Sequence, residues 1–442
     1  MKNMVLHMGV LAMLAASMLY SQEIAGDWQG TLNVGAQKLR SILHITKAEN
    51  GGWSARFISV DQGDMGGIPV NSLTLQGSNV KFVVGAVRGS YNGTISRDGN
   101  LISGTWTQGR PLPLDFHRAT EETLWKDKSP HSVQFVTVDN NVKLEVLDWG
   151  GSGQPLVLLA GLGNTAHAFD GFAPKLTAKY HVYGITRRGF GASSAPLPIA
   201  ANYNADRLGD DVLGVCAFLK LNRPVLVGHS IAGEELSSIG SRHPEQVAGL
   251  IYLDAGYGYA FYDRSRGDLM LDLLELQKKL EQLQPGNQPQ DPKQLVNDLL
   301  QTTLPQFEKD LQQLQKDMET APPPPPPPAA AGAGVHSDPM PAQAILAGQQ
   351  KYTEIRSPVL AIYAFPHDRS GPPNADAAAR AKAEARDEER TGAQIKAFET
   401  GVPSAHVVRL QHANHFVFRS NEADVLREMN AFIGSLPVGS TK

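Results

Sequence analysis

From about residue 131 the chain alternates short, unbroken apolar runs with stretches whose apolar positions recur every three to four residues. The runs are Val133–Val138, Lys143–Asp148, Leu156–Ala160, His181–Ile185, Val225–Val227, Leu250–Leu253, Val359–Tyr363 and His406–Leu410. Runs that do not alternate apolar with polar fit strands covered on both faces, and helical patterns lie between most of them from the third run on. The pattern predicts an α/β domain with a mostly parallel eight-stranded sheet. Upstream, residues 24–118 read differently. Short β-branched stretches sit between turn signals such as Asn50-Gly51-Gly52, Gln76-Gly77-Ser78-Asn79 and Asp98-Gly99-Asn100, which predicts a small all-β barrel- or sandwich-like domain. A polar linker over 119–130 joins the two.

The sixth and seventh runs are roughly 100 residues apart, far beyond an ordinary connection. Within this insertion, 255–356, Leu269, Leu273, Leu276, Leu280 and Leu283 recur at helical spacing, as do Leu300, Leu304, Phe307, Leu311, Leu314 and Met318. Two amphipathic helices forming an antiparallel hairpin are expected, with Pro305 kinking or restarting the second. Their leucine stripe suits the buried face of a lid, and a partner-binding surface is the alternative. Pro322–Pro328 and the Ala/Gly stretch after it form no packed core and read as a polyproline II spacer or a disordered loop.

Length and charge narrow the function. A chain of 442 residues requires more than one core. The net charge of −4 without a basic block argues against nucleic acid and leaves small, mostly uncharged substrates. Lys2, the apolar run from Met8 to Leu19, and Ser21-Gln22 resemble a secretory signal peptide over 1–21, so a periplasmic or secreted protein is expected; a retained anchor is the alternative. No other run reaches membrane-spanning length, so no span is expected after cleavage. The single cysteine, Cys216, precludes an internal disulfide and lies on an apolar helical face as a core thiol. In the β-rich segment Trp28, Tyr91 and Trp106 each sit among glycines. Inward-packed rings are expected, a carbohydrate platform being the alternative.

Candidate chemistry centres on Gly228-His229-Ser230-Ile231-Ala232-Gly233, between the fifth apolar run and a helical stretch from Glu234. A strand, a tight turn bearing serine and a helix make the context of a nucleophile elbow, with small residues where two backbones approach closely. A serine hydroxyl needs a neighbouring base, which must come from elsewhere in the chain. His415, just past the last run, is the candidate; His406 falls within that run and His412 at its immediate end. A metal site from these three histidines is set aside, since no acidic or cysteine ligand accompanies them, and no cofactor is expected.

Taken together, Ala160-Gly161-Leu162-Gly163-Asn164, Arg188-Gly189-Phe190-Gly191-Ala192-Ser193, the Ser230 elbow and Ala413-Asn414-His415-Phe416 resemble an α/β-hydrolase-fold serine hydrolase over about 131–437. The resemblance implies a triad in the order serine, acid, histidine. It points to Asp368, in the loop after the seventh strand, as the acid; Asp254 at the end of the sixth is the rival. It also implies an oxyanion hole from the backbone N–H groups of Leu162 and Ile231. Two departures stand out. Ala232 replaces the commoner glycine, and Thr186-Arg187-Arg188 lacks the aspartate that many relatives place before the arginine, so their local ion pair is expected to be missing. The expected activity is hydrolysis of a small carboxylic ester through an acyl-enzyme. The elbow serine argues against the aspartate-nucleophile relatives, epoxide hydrolases and dehalogenases. The alternatives are an aminopeptidase-type amidase, with Glu234 and Glu235 as amine-binding candidates, and a ligand-binding protein with a vestigial hydrolase domain.

Overall fold

The computed structural model describes residues 23–437 except 35–36, 49–50, 61–63, 109, 126–128, 288, 321–340, 368–376 and 412. The expected signal segment, the polyproline run, Asp368 and His412 lie outside the described residues. Among the described residues no helix is long and apolar enough to cross a membrane. The chain divides into two compact units, Met1–Asp127 and Lys128–Lys442.

The first unit is one antiparallel sheet of ten strands. Alternation along Asn79–Val84 and Gly89–Ile95 turns every second side chain inward. Trp28, Tyr91 and Trp106 are buried in the core with Phe57, Phe82 and Phe116, so the rings pack inward and form no exposed platform. The glycines flanking them make room. A Cβ on Gly89 would lie 2.1 Å from the Trp106 ring.

The second unit holds an eight-stranded sheet, labelled here β1 (Ser132–Asp139), β2 (Val142–Gly150), β3 (Gln154–Leu159), β4 (Tyr180–Ile185), β5 (Val225–His229), β6 (Gly249–Leu253), β7 (Val359–Ala364) and β8 (Ala405–Leu410). All eight match the apolar runs, in the spatial order β1-β2-β4-β3-β5-β6-β7-β8. The pairs β1/β2 and β2/β4 are antiparallel and the rest parallel. Strands β5, β6 and β7 are buried at every residue, as strands covered on both faces must be. Helices α1 (Ala205–Phe218) and α2 (Gly233–Arg242) belong to this layer, and Cys216 is buried on α1 with its thiol pushed up to about 12 by burial.

The insertion between β6 and β7 contains α3 (Leu269–Gln282), α4 (Pro292–Asp298), α5 (Leu304–Thr320) and α6 (Pro341–Ala347). Asp268 caps α3 by accepting from the Met270 and Leu271 amides. A π-turn over Leu299–Thr303 runs without a break from α4 into α5, and Pro305 falls two residues past it, where the π-turn shifts the hydrogen-bond register and accommodates the missing amide. The leucine stripe departs from the lid expectation. Leu276 is buried, but Leu280, Leu283, Leu300, Leu311, Leu314 and Met318 are 39–67 % exposed. Burial in the hairpin centres instead on Leu271, Asp272, Leu276, Leu299, Thr303 and Asp310. Beyond β7 run α7 (Ala377–Gly401) and, after β8, α8 (Glu422–Ser435).

Candidate active site

Strand β5 is clamped by parallel pairing with β3 on one side and β6 on the other, so the residue just past its end is held by the centre of the sheet. That residue, Ser230, has φ +54°, a left-handed backbone that non-glycine residues adopt at a cost. The tight turn demands small neighbours. A Cβ on Gly228 would lie 2.9 Å from Leu236, and one on Gly233 would lie 2.1 Å from the Ala255 carbonyl oxygen. Ala232 is fully buried with φ −60°, a conformation and a space that suit alanine.

Three side chains from three strand ends meet here. His415 Nε2 lies 2.9 Å from Ser230 Oγ, and its Nδ1 lies 2.6 Å from Asp254 Oδ2. Because the carboxylate only accepts, Nδ1 carries the proton and Nε2 offers its lone pair to the serine hydroxyl. Asp254, fully buried just past β6, accepts at Oδ1 from the Tyr257 hydroxyl at 2.7 Å and the Ala364 amide at 3.0 Å. Burial alone would raise its pKa, but hydrogen bonds and charge from His367 and His415 hold it down at about 2. The acid on His415 is therefore Asp254, the rival of the two sequence candidates, while Asp368 lies outside the described residues.

Leu162 and Ile231 come together in one apolar cluster with Phe190, Tyr203, Leu208, Tyr259, Ala344 and Ile345. The turn bearing Leu162 is pressed against Ser230: a Cβ on Gly161 would lie 3.2 Å from Ser230 Cβ. The turn is closed by Asn164 N–H donating to Gly161 O at 3.1 Å, with Gly163 at φ +78°. His406 is on β8, and its only ion-pair neighbour among the described residues is Glu428 at 3.9 Å.

Several contributing residues were not anticipated. His229, one before the serine, donates from Nε2 to the His415 carbonyl at 3.0 Å and so anchors the loop that carries His415. Burial, then the charge of His415, lowers its pKa to about 3, keeping it neutral. Arg187 replaces the missing local ion pair with a longer-range one, donating to Glu235 at 2.5 and 3.0 Å and to the Ala160 carbonyl at 2.9 Å, directly behind the Leu162 turn. Arg188 grips Asp211 with two bonds of 2.6 Å. Glu235 is thus occupied, and Glu234 is wholly buried with neither oxygen bonded, its pKa raised by burial and by Glu235. Neither glutamate presents a carboxylate at the surface of the site. The signals were in plain view as the histidine inside the elbow and the doubled arginine, but their partners lie 186 and 48 residues away in sequence.

A sequence model of the α/β hydrolase fold family matches residues 154–421. A fluoroacetate dehalogenase from a Burkholderia species is 34 % identical over 116 residues, covering 26 % of this chain and 38 % of the relative. Epoxide hydrolase A of Mycobacterium tuberculosis is also 34 % identical over 116 residues, covering 26 % and 36 %. The chain thus spans under two fifths of the length of these curated relatives. A thermophilic esterase from Thermogutta terrifontis superposes with a TM-score of 0.42 at 16 % identity, covering 69 % of this chain and 98 % of that one.

Proposed function

The chain belongs to the α/β hydrolase fold family, and on that premise we propose that it is a serine hydrolase of small carboxylic esters. The observation that carries the reading is the continuous hydrogen-bonded line from Ser230 Oγ through His415 to the buried carboxylate of Asp254. Ser230 Oγ attacks the ester carbonyl carbon as its proton passes to His415 Nε2. Asp254 keeps the imidazole in the required tautomer and stabilises the imidazolium without taking the proton. The carbonyl oxygen gains negative charge and is received by the amides of Ile231 and Leu162. Collapse breaks the bond to the alkoxy oxygen, which leaves as the alcohol with the proton from His415. Water, deprotonated by the same imidazole, then frees the acid and restores the serine.

The nucleophile's identity separates this chemistry from that named for the dehalogenase and epoxide hydrolase relatives. Displacing a halide or opening an epoxide with a serine oxygen leaves an ether, which the same site has no route to hydrolyse. An acyl transfer leaves an ester, which water opens through the same transition state. The cluster of Leu162, Phe190, Ile231 and Tyr259 offers an apolar wall to the substrate. An aminopeptidase reading loses its sequence support, since Glu234 and Glu235 are buried at 0 % and 3 % exposure and hold no amine. Export is part of the proposal and rests on the N-terminal pattern of Lys2 and the apolar run that follows.

The test is turnover of p-nitrophenyl esters from acetate to octanoate beside aminoacyl anilides, with Ser230→Ala as control. The proposal expects ester turnover that the control lacks. Anilide turnover without ester turnover, or ester turnover surviving in the control, overturns it.

A further inference from the structure

The carboxylate that holds His415 is itself held by a second histidine. His367, in the loop after β7, places Nε2 3.0 Å from Asp254 Oδ2, the same oxygen that receives His415 Nδ1. Its other nitrogen, Nδ1, lies 2.8 Å from Oδ2 of Asp387 on α7, and Asp387 Oδ1 is in turn held by the Thr391 hydroxyl at 3.2 Å. A neutral imidazole has one N–H and one lone pair, so it satisfies only one of two facing carboxylates. With an acceptor-only group at each nitrogen, the geometry requires both to carry hydrogen. Among the described residues the other titratable group on this ring is the Tyr257 hydroxyl, 3.3 Å from Nε2 and already donating to Asp254. Hydrogen bonding to Asp254 raises the pKa of His367, and Asp387 adds to the effect against the cost of burial.

Resting on the triad reading above, we propose that His367 is a positioning residue for the hydrolytic reaction: an imidazolium clamped between Asp254 and Asp387 that fixes the acid and moderates its charge. The line of groups is then Ser230, His415, Asp254, His367, Asp387, with formal charges alternating from Asp254 onward. Two effects follow. Oδ2 is pinned from both sides, and because its other oxygen is already saturated by Tyr257 and Ala364, the Asp254 carboxylate has one orientation in which to meet His415. The positive charge also offsets part of the negative charge that Asp254 presents to His415.

The loop after β7 thus contributes a cation to the site. It can do so because β6 and β7 are parallel neighbours whose ends face the same way, with Asp254 N–H donating to the Ile362 carbonyl across the pair at 2.7 Å. His367 also bridges to Ala413, two residues before the base, so one loop touches both acid and base supports.

Three variants separate orientation from charge, read as kcat and as the pH profile of kcat/KM on a chromogenic ester. His367→Ala removes both effects. The plateau kcat falls about 10- to 100-fold from lost orientation, and the acid limb moves up by about half a unit to one unit from lost charge repulsion. His367→Gln keeps a donor toward Asp254 without the charge, so kcat returns to within a few-fold of wild type while the limb stays shifted. Asp387→Asn leaves His367 in place but favours its neutral form, which moves the limb the same way. An acid limb unmoved in His367→Gln and Asp387→Asn overturns the proposal, as does a wild-type kcat in a folded His367→Ala. Fluorophosphonate labelling of each variant keeps the two readings distinct: wild-type labelling with unshifted profiles refutes the role of His367 alone, whereas absent labelling of wild type refutes the triad.

Discussion

Replacing Asp254 by asparagine removes one charge and almost no volume, and its consequences follow from four hydrogen bonds. Oδ2 receives His415 and His367, and Oδ1 receives Tyr257 and Ala364. Whichever side the new amide nitrogen takes, it faces two donors. On the Oδ2 side it drives the His415 proton from Nδ1 to Nε2, so that an N–H, not a lone pair, meets Ser230. On the Oδ1 side it leaves the Tyr257 and Ala364 donors without an acceptor, at about 1–3 kcal/mol for each buried group. The wrong tautomer in a serine triad lowers kcat by about 10⁴-fold, a barrier increase of about 5.4 kcal/mol. The assay is steady-state hydrolysis of p-nitrophenyl butyrate at pH 7.5, with circular dichroism and a melting curve to show that the variant folds. A folded Asp254→Asn within tenfold of wild type refutes the assignment. Loss of about 10³-fold or more in Asp368→Asn under the same conditions would move the role to that residue.

Further expectations concern the turn at Ser230, a buried acid and the insertion between β6 and β7. Gly233→Ala sets a methyl 2.1 Å from the Ala255 carbonyl oxygen and should cost about 3 kcal/mol of stability, whereas Gly434→Ala in α8 meets nothing within 4 Å and should not destabilise; equal melting temperatures would contradict the packing argument. Glu234 has a raised folded-state pKa, so the stability its neutral form contributes is complete below about pH 4.5 and is lost as pH rises through the folded value. Over that window wild type should lose about 1.4 kcal/mol per pH unit relative to Glu234→Gln, and urea unfolding that shows the same difference at pH 5 and pH 8 refutes it. In the insertion between β6 and β7, burial and then the neighbouring Asp272 carboxylate raise Asp310 to about 7. Its neutral form therefore stabilises fully below about pH 3.8 and that contribution is gone by about pH 7, so the opening free energy of α3 and α5, taken from hydrogen exchange corrected for the base-catalysed intrinsic rate, should fall between about pH 4 and 7 in wild type but not in Asp310→Asn. An opening free energy that stays constant across that range in wild type contradicts the raised Asp310 carboxyl.

The sheet was legible in sequence because its signal is local. Eight apolar runs became eight strands, and the glycines about Ser230 sit where a Cβ would strike a neighbour. That Asp254 meets His415 was not legible, since Asp254 and Asp368 follow adjacent parallel strands and spacing alone does not say which carboxylate reaches the ring. What decides it is the turn after β6, where Asp254 itself has φ +47° and sends its carboxylate between Tyr257 and the start of the β7 loop. Supporting residues such as His229, Arg187 and His367 were missed for the same reason. Each acts through a contact made across the sheet, which no periodicity records. The insertion helices were readable from their leucines, but their burial was not, because an amphipathic period gives a face without naming what covers it.

Labelling the nucleophile tests the central claim most directly. Wild-type protein treated with a fluorophosphonate probe, digested and mapped by mass spectrometry should carry one adduct, on the peptide containing Ser230. That adduct should vanish in Ser230→Ala and form far more slowly in His415→Ala. No adduct on wild type, or an adduct that persists at another residue in Ser230→Ala with ester turnover intact, would contradict the account.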